Sequence, residues 1–286
     1  MNSYKAELTH RNVVVVKYKN VTKGWEQWVQ LTGDRHHDNP RSNWKLEREQ
    51  LEKAKKRQAH IVDVGDLFCA MQGKYDPRSS MDDLRPENVR EDYLDGLIET
   101  AAEFYTPYAE NFLVIGYGNH ESNIRKRHGV DLTSNLVHHL NYEGGKVFPG
   151  FYGGWVRFVF KVNNSQSISK NLYYHHGAGG GGPVTRGVIQ TNRQAVYMPD
   201  ADFIVNGHTH DAWTVPIKRA RLSNMGTPST DLLKFIRTPG YKDDFGDGAE
   251  GFHNEKWGAP KPQGCIWIRF YLKNGMIEDE LVEDIH

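Results

Sequence analysis

Cysteine is scarce in this sequence. Cys69 and Cys265 are the only two among 286 residues, which leaves no basis for a disulfide framework or a thiolate-built zinc site. Long apolar runs are also missing. The longest purely aliphatic stretch, Val13-Val14-Val15-Val16, falls far short of the roughly 20 residues that a membrane helix needs, so no membrane association is expected. Residues 1–7 contain no apolar h-region, and the expectation is therefore a cytoplasmic protein without a secretory leader. Neither charge sign is in excess. The 36 Lys+Arg balance 36 Asp+Glu, which argues against charge-driven polyanion binding while leaving room for a local basic groove. Low-complexity tracts, internal repeats and long linkers are all lacking, so the chain reads as a single domain over 1–286. With 38% hydrophobic and 12% aromatic residues, it is rich enough to build a sizeable core and too rich for general disorder.

What the sequence does have is histidine. There are 14, and seven of them stand at His36, His37, His120, His175, His176, His208 and His210. The element pattern shows why those positions matter. Residues 12–18 and 27–32 read as strands around a turn at Gly24. A polar helix is expected over 43–58, with Ser42 or Asn43 as N-cap. The run 61–64 reads as a buried strand. A helix entered through Pro86 carries Val89, Tyr93, Leu94, Leu97, Ile98, Ala101 and Phe104 at helical spacing and stops at Pro107. Strands are expected at 112–115, 155–162, 172–174 and 203–205, and helices at 132–140 and 188–197. The C-terminal third reads as strands 214–222, 265–272 and 276–282, with Asn274-Gly275 as a hairpin turn. Residues 238–263, rich in Gly, Pro and charge, read as a long surface loop. Alternating α and β followed by mostly β implies an α/β fold with a mixed sheet or two stacked sheets flanked by helices.

Five polar motifs follow five of these strands, where ligands bind in open α/β sheets. Asp34-Arg35-His36 comes first, with Asp34 and His36 expected on one side of an extended chain. Gly65-Asp66 offers a carboxylate able to bridge two cations. Gly118-Asn119-His120-Glu121 offers an amide oxygen and a proton donor. His175-His176-Gly177 offers an imidazole, with His176 as the ligand and His175 as a supporting residue. Gly207-His208-Thr209-His210 places two imidazoles at i and i+2. Each motif alone reads as readily as a polar turn. Together the donors are nitrogen and oxygen only, which suits divalent transition metals.

The ordered set, spanning residues 27 to 215, resembles the calcineurin-like metallophosphoesterase superfamily. That resemblance implies a four-layer sandwich, two stacked mixed β-sheets flanked by helices, with two divalent metals at its mouth. It implies Asp34, His36 and His210 on one metal, Asn119, His176 and His208 on the other, and Asp66 between them. Manganese leads the expected metals, with Fe, Zn, Co or Ni as alternatives. A metal-bound hydroxide would attack phosphorus, and His120, the family's non-ligand histidine, would act as the catalytic acid or charge stabiliser. Glu121 is expected to orient His120 or to be solvated. His37 is expected to face away from the site.

The glycine run at 177–182 lacks the Gly-Lys-Ser/Thr ending of a P-loop. It reads as a flexible loop, with Arg186 and Arg125 as candidate substrate contacts. Gly65-Asp66-Leu67-Phe68 lacks the Asp-Arg-Gly continuation of the protein phosphatase branch and looks closer to the DNA exonuclease branch. The expected activity is therefore phosphodiester hydrolysis on nucleic acid or nucleotides. A phosphomonoesterase or a non-catalytic scaffold of the same fold are the alternatives, and a scaffold would be expected to have lost ligands.

Overall fold

A computed structural model describes residues 3–72, 84–163, 166–180, 182, 184–243, 245 and 258–286. Two strands open the chain, β1 (Tyr4–His10) and β2 (Val13–Tyr18), followed by β3 (Glu26–Thr32). Helix α1 (Trp44–Arg57) begins where the Asn43 side chain accepts the Leu46 N–H, so Asn43 is the N-cap. Strand β4 (His60–Asp63), helix α2 (Tyr93–Tyr105) and strand β5 (Phe112–Ile115) complete a parallel run. Pro86 starts a short 3-10 turn (Pro86–Asn88) rather than α2 itself, and Pro107 sits inside another (Thr106–Tyr108).

Two helices come next, α3 (Asn119–His128) and α4 (Leu132–Tyr142), then strands β6 (Phe148–Pro149), β7 (Gly153–Lys161) and β8 (Ser167–His175). Helix α5 (Val188–Tyr197) leads to β9 (Phe203–Asn206), β10 (Trp213–Leu222), β11 (Pro228–Arg237), β12 (Gly264–Lys273) and β13 (Met276–Ile285). Asn274 and Gly275, both at positive φ (51° and 75°), form the tight turn between the last two strands. Among the described residues no helix is long and apolar enough to cross a membrane.

The strands form two mixed sheets. One has seven strands in the order β1-β2-β7-β8-β9-β11-β10, and the other six in the order β13-β12-β3-β4-β5-β6. Their inner faces share one core, in which Val16, Val156, Phe158 and Phe203 meet Val29, Val62, Val114 and Ile268. The outer face of the six-stranded sheet packs Ile61, Phe112 and Trp267 against helix residues Leu51, Leu97, Ala101 and Leu136. A smaller cluster, with Ile204, Leu233 and Phe235 at its centre, covers the outer face of the seven-stranded sheet, with Ala195 of α5 against it. The result is helices, sheet, sheet, helix. β4, β5 and β9 are buried along their whole length, which is why they read as plain apolar runs.

Residues 244 and 246–257 of the loop expected at 238–263 lie outside the described residues. Its first residues are not surface. Thr238, Gly240 and Tyr241 are buried, and Tyr241 N–H donates to the Asp34 carbonyl at 3.1 Å. The aromatic ring of Tyr241 supplies the apolar surface that the Gly- and Pro-rich composition concealed.

Candidate metal centre

β3, β4 and β5 run parallel in one sheet, and β8 and β9 in the other. Asp34, Asp66, Asn119, His176, His208 and His210 all follow the C-terminal ends of these strands, and the two sheets bring those ends together. Asp34, His36 and His210 place one ligand atom each within 4.8 Å of one another, and so do Asp66, His176 and His208. Asn119, the first residue of α3, adds its Oδ1 at 3.2 Å from His176 Nε2. These are the groups named from the sequence as ligand candidates, and the structure gathers all seven.

The local route differs from the expected one. Asp34 and His36 are not on an extended segment, since both sit in the left-handed region, at φ 49° and 45°. His208 and His210 do likewise at 77° and 55°. Left-handed residues break the strict alternation of a strand, and the two imidazoles expected to face one way separate. His210 joins Asp34 and His36, whereas His208 joins Asp66 and His176. Asp66 is also left-handed, at 53°. Non-glycine residues in this region cost about 1–3 kcal/mol each and persist where surrounding structure over-determines them.

That surrounding structure can be named. Gly118 and Gly207 permit the closest approaches, because a Cβ on Gly118 would lie 1.9 Å from Asp66 Oδ1 and one on Gly207 would lie 2.4 Å from Asp34 Oδ2. His208 N–H donates to Asp34 Oδ2 at 2.7 Å, and His120 N–H donates to Asp66 Oδ1 at 3.0 Å. Arg237, the last residue of β11, donates to the Gly207 carbonyl and, at 3.2 Å, to Thr191 Oγ1.

The electrostatics call for a cation. His176 Nδ1 lies 3.2 Å from the Val64 carbonyl, a contact that requires Nδ1–H and leaves Nε2 as a lone pair in the neutral ring. That Nε2 faces Asp66 Oδ2, Asn119 Oδ1 and His208 Nδ1, each at 3.2 Å. The Asp66 carboxylate and the Asn119 carbonyl oxygen are acceptors, and acceptors set against a lone pair repel it unless a positive charge lies among them. Burial opposes a charged His176, yet Asp66, Asp34 and Glu121 raise it to about 9, so without metal a proton would fill that role. Burial raises Asp34 to about 7 against the pull of His176, and Asp34 Oδ1 is buried without a hydrogen bond. Burial lowers His208 to about 4 and His36 well below its ordinary value, which keeps both imidazoles neutral, the form that ligates metal. The donor set, the buried lone pairs and the orphaned carboxylate oxygen fit divalent cations. The His176–Val64 bond matches the backbone-carbonyl partner that metal-bound histidines generally have.

His120, on the first turn of α3, turns Nε2 toward Asp66 Oδ2 at 3.9 Å, while its Nδ1 contacts the Cys69 carbonyl. Glu121 neither orients His120 nor meets solvent. It is buried, and its carboxylate accepts the N–H groups of Asp66 (3.2 Å), Phe68 (2.9 Å) and Gly118 (2.8 Å). Burial and Asp66 raise it to about 8. His37 lies away from the cluster, stacked on Trp44 with ring centroids 4.5 Å apart and Nδ1 3.2 Å from Tyr105 Oη. His175 Nδ1 accepts the Gly177 N–H at 3.0 Å, a supporting contact. Arg125 and Arg186 are exposed; Arg125 lies 3.6 Å from Asp131, and no described contact joins either arginine to the cluster.

Three neighbours escaped sequence reasoning. Arg35 is fully buried, donating to Asp63 Oδ2 and Glu47 Oε1 at 2.6 Å each. Its position between Asp34 and His36 was the available signal, since a residue between two ligands points elsewhere. Asp38 accepts the N–H groups of Cys69 and Ala70, with no sequence signal to mark it. Cys69 itself places a ligand atom within 4.8 Å of His36 and His120, which spacing between distant motifs could not reveal.

The molecule is thus an α/β protein of two mixed sheets whose strand ends gather residue groups able to hold metal ions. No family model matches the chain, and no curated protein matches it. Solved structures do. Vacuolar Protein Sorting 29 from Cryptosporidium parvum aligns over 90% of this chain and 97% of its own, at 15% identity and a TM-score of 0.35. A conserved protein from Streptococcus pneumoniae, described as a predicted phosphoesterase, aligns over 90% and 99% at 11% identity and a TM-score of 0.31. GAP50, the anchor in the inner membrane complex of Plasmodium, aligns over 90% and 84% at 11% identity and a TM-score of 0.40.

Proposed function

We propose that this protein is a calcineurin-like, metal-dependent phosphoester hydrolase that cleaves phosphodiesters in nucleic acid or nucleotides. The observation that carries the reading is the His176 Nε2 lone pair ringed by Asp66, Asn119 and His208 at 3.2 Å, within the ordered motif set that resembles the superfamily. Asp34, His36 and His210 would hold one divalent cation. Asn119, His176 and His208 would hold a second, with Asp66 shared. Bound there, such ions supply Lewis-acid stabilisation of phosphoryl oxygens and a water acidified toward neutral pH. Manganese suits an oxygen- and imidazole-rich set, and Fe, Zn, Co or Ni remain compatible with it.

The chain's own groups do the rest. The Cys69 carbonyl holds the Nδ1–H of His120 and leaves Nε2 toward the cluster. In its imidazolium form, with a second proton on Nε2, the ring can hydrogen-bond a phosphoryl oxygen or pass that proton to the leaving oxygen. Asp34 and Asp66 keep the site acidic, so the cations, rather than lysine or arginine, set its positive charge. Arg125 and Arg186 are exposed cations for an extended substrate, and Gly65-Asp66-Leu67-Phe68 supports the exonuclease-like branch.

The test is metal analysis followed by a substrate panel. Purified protein should carry about two equivalents of transition metal, removable by chelator. With Mn²⁺ it should turn over a chromogenic phosphodiester faster than the matching monoester, and cleave linear or single-stranded DNA. Faster monoester turnover would assign a phosphatase. Absence of metal together with inertness on every phosphoester would assign a binding scaffold and sink the proposal.

A further inference from the structure

We propose that Asp38 is a positioning residue for His120, acting through the peptide that joins Cys69 to Ala70. The role rests on the phosphoesterase reading above. Asp38 is buried, and its two carboxylate oxygens accept the Cys69 N–H at 2.5 Å and the Ala70 N–H at 2.8 Å. Two successive amides turn toward one carboxylate only because the backbone folds back, and Ala70 sits at φ 45° to allow it. Alanine disfavours that region, so the paired charge-assisted hydrogen bonds hold a conformation the chain would otherwise leave.

The consequence falls on the far side of the same peptide. In a trans peptide the N–H and the preceding C=O point in opposite directions. With the Ala70 N–H fixed on Asp38, the Cys69 C=O points away from it, and its partner there is His120 Nδ1. A carbonyl cannot donate, so His120 must carry hydrogen at Nδ1. Nε2, 3.9 Å from Asp66, is then the atom that takes up and gives away the second proton, and the His36 ring packs nearly perpendicular to the imidazole with centroids 4.9 Å apart. The anionic carboxylate also polarises the peptide and strengthens its carbonyl as an acceptor.

Asp38 also interacts with Tyr93 and Arg85 outside the loop, but within the loop its described hydrogen bonds go to Cys69 and Ala70. The preceding part is fixed independently. Glu121 accepts the Asp66 and Phe68 N–H groups, while the Asp66 and Leu67 carbonyls accept the His36 and His37 N–H groups at 3.1 and 2.8 Å. Weakening Asp38 should therefore leave Asp66 in place and release the orientation of His120.

The experiment is Asp38→Asn, which keeps shape but replaces one acceptor oxygen with an NH₂ that cannot accept an amide proton. Imidazole ¹⁵N spectra, with His120 assigned from its loss in His120→Asn, should show the Nδ1–H form in the wild type and an admixture of Nε2–H in the variant. On a series of aryl phosphodiesters, kcat should fall roughly 10–100-fold and depend more steeply on leaving-group basicity, with KM and metal content close to wild type. Added to His120→Asn, the same change should cost about twofold or less, because the two residues act as one unit. An unchanged tautomer and leaving-group slope, lost metal, or an equal rate loss in the His120→Asn background would each show that Asp38 is merely structural. Should no variant and no wild type hydrolyse any phosphoester, the functional reading fails, while the tautomer spectra still decide the Asp38 contact.

Discussion

His120 stands apart from the other polar residues of the cluster because its role can be separated from metal binding. Its Nδ1 is taken by the Cys69 carbonyl, and in the family that the motif set resembles the corresponding histidine is not a ligand. His120→Asn should therefore lower kcat by about 10²–10⁴-fold, the usual worth of a positioned acid or base, while metal analysis finds the wild-type content. Loss of a metal equivalent would make it a ligand instead. Its neighbour Glu121 shows how residue identity misleads when contacts are unknown. The sequence Asn-His-Glu suggests a carboxylate orienting an imidazole, but the carboxylate turns back onto three backbone N–H groups. Those amides would otherwise be buried and unpaired, at about 1–3 kcal/mol apiece. Hence Glu121 holds the loop that carries Asp66.

Between elements, a fully buried tie is Arg35. It leaves the end of β3 and joins Asp63 at the end of β4 to Glu47 in the first turn of α1, all three side chains with no exposure. Tyr105 of α2 closes the group through Glu47. Arg35→Met should cost about 3–5 kcal/mol, because it strands two carboxylates in the core, and a lowered denaturant midpoint with unchanged slope would report it. An effect below about 1 kcal/mol would show that water reaches the carboxylates.

The same region shows what a sequence can and cannot disclose. Strands such as Phe112–Ile115 were legible because burial dictates their composition, whereas helix Val188–Tyr197 was legible although only Thr191 of it is buried. β11 was not, since its first half, Pro-Ser-Thr-Asp, is a polar ribbon paired only with exposed β10. The residues of the candidate metal groups could be named beforehand because their side-chain types are ones that metal chemistry uses, and the structure brings them together. Their left-handed backbones, and the Arg35, Asp38 and Glu121 contacts that hold them, could not be. Those depend on which loops meet, and only the packed sheets decide that.

For the molecule as a whole, two sets of buried groups make stability depend on pH in opposite senses. His60 packs edge-on against Tyr4 with centroids 4.5 Å apart, and burial lowers it from 6.5 to about 4. A depressed histidine stabilises above its unfolded value and loses that contribution as pH falls through the window from 6.5 to about 4, by up to about 3 kcal/mol. His60→Leu should flatten the acid limb of a melting-temperature profile, and an unchanged limb would place the acid sensitivity elsewhere. The candidate metal groups work the other way. Without cations, His176 is raised from 6.5 to about 9, so the folded state holds a proton that the unfolded chain has released. Its contribution is complete below pH 6.5 and is lost as pH rises to about 9. Asp34 and Glu121, raised to about 7 and 8, add losses of the same sign. A bound cation would take the proton's place, so that metal binding would release protons and remove this dependence. Chelator should therefore lower the melting temperature, and the gap between metal-free and Mn²⁺-loaded protein should widen as pH rises through that window. Loaded protein should in addition gain stability with the logarithm of free metal. A gap that stays constant with pH would mean that the carboxylates and imidazoles at the strand ends do not share one positive charge, and the metal assignment built on His176 would fall with it.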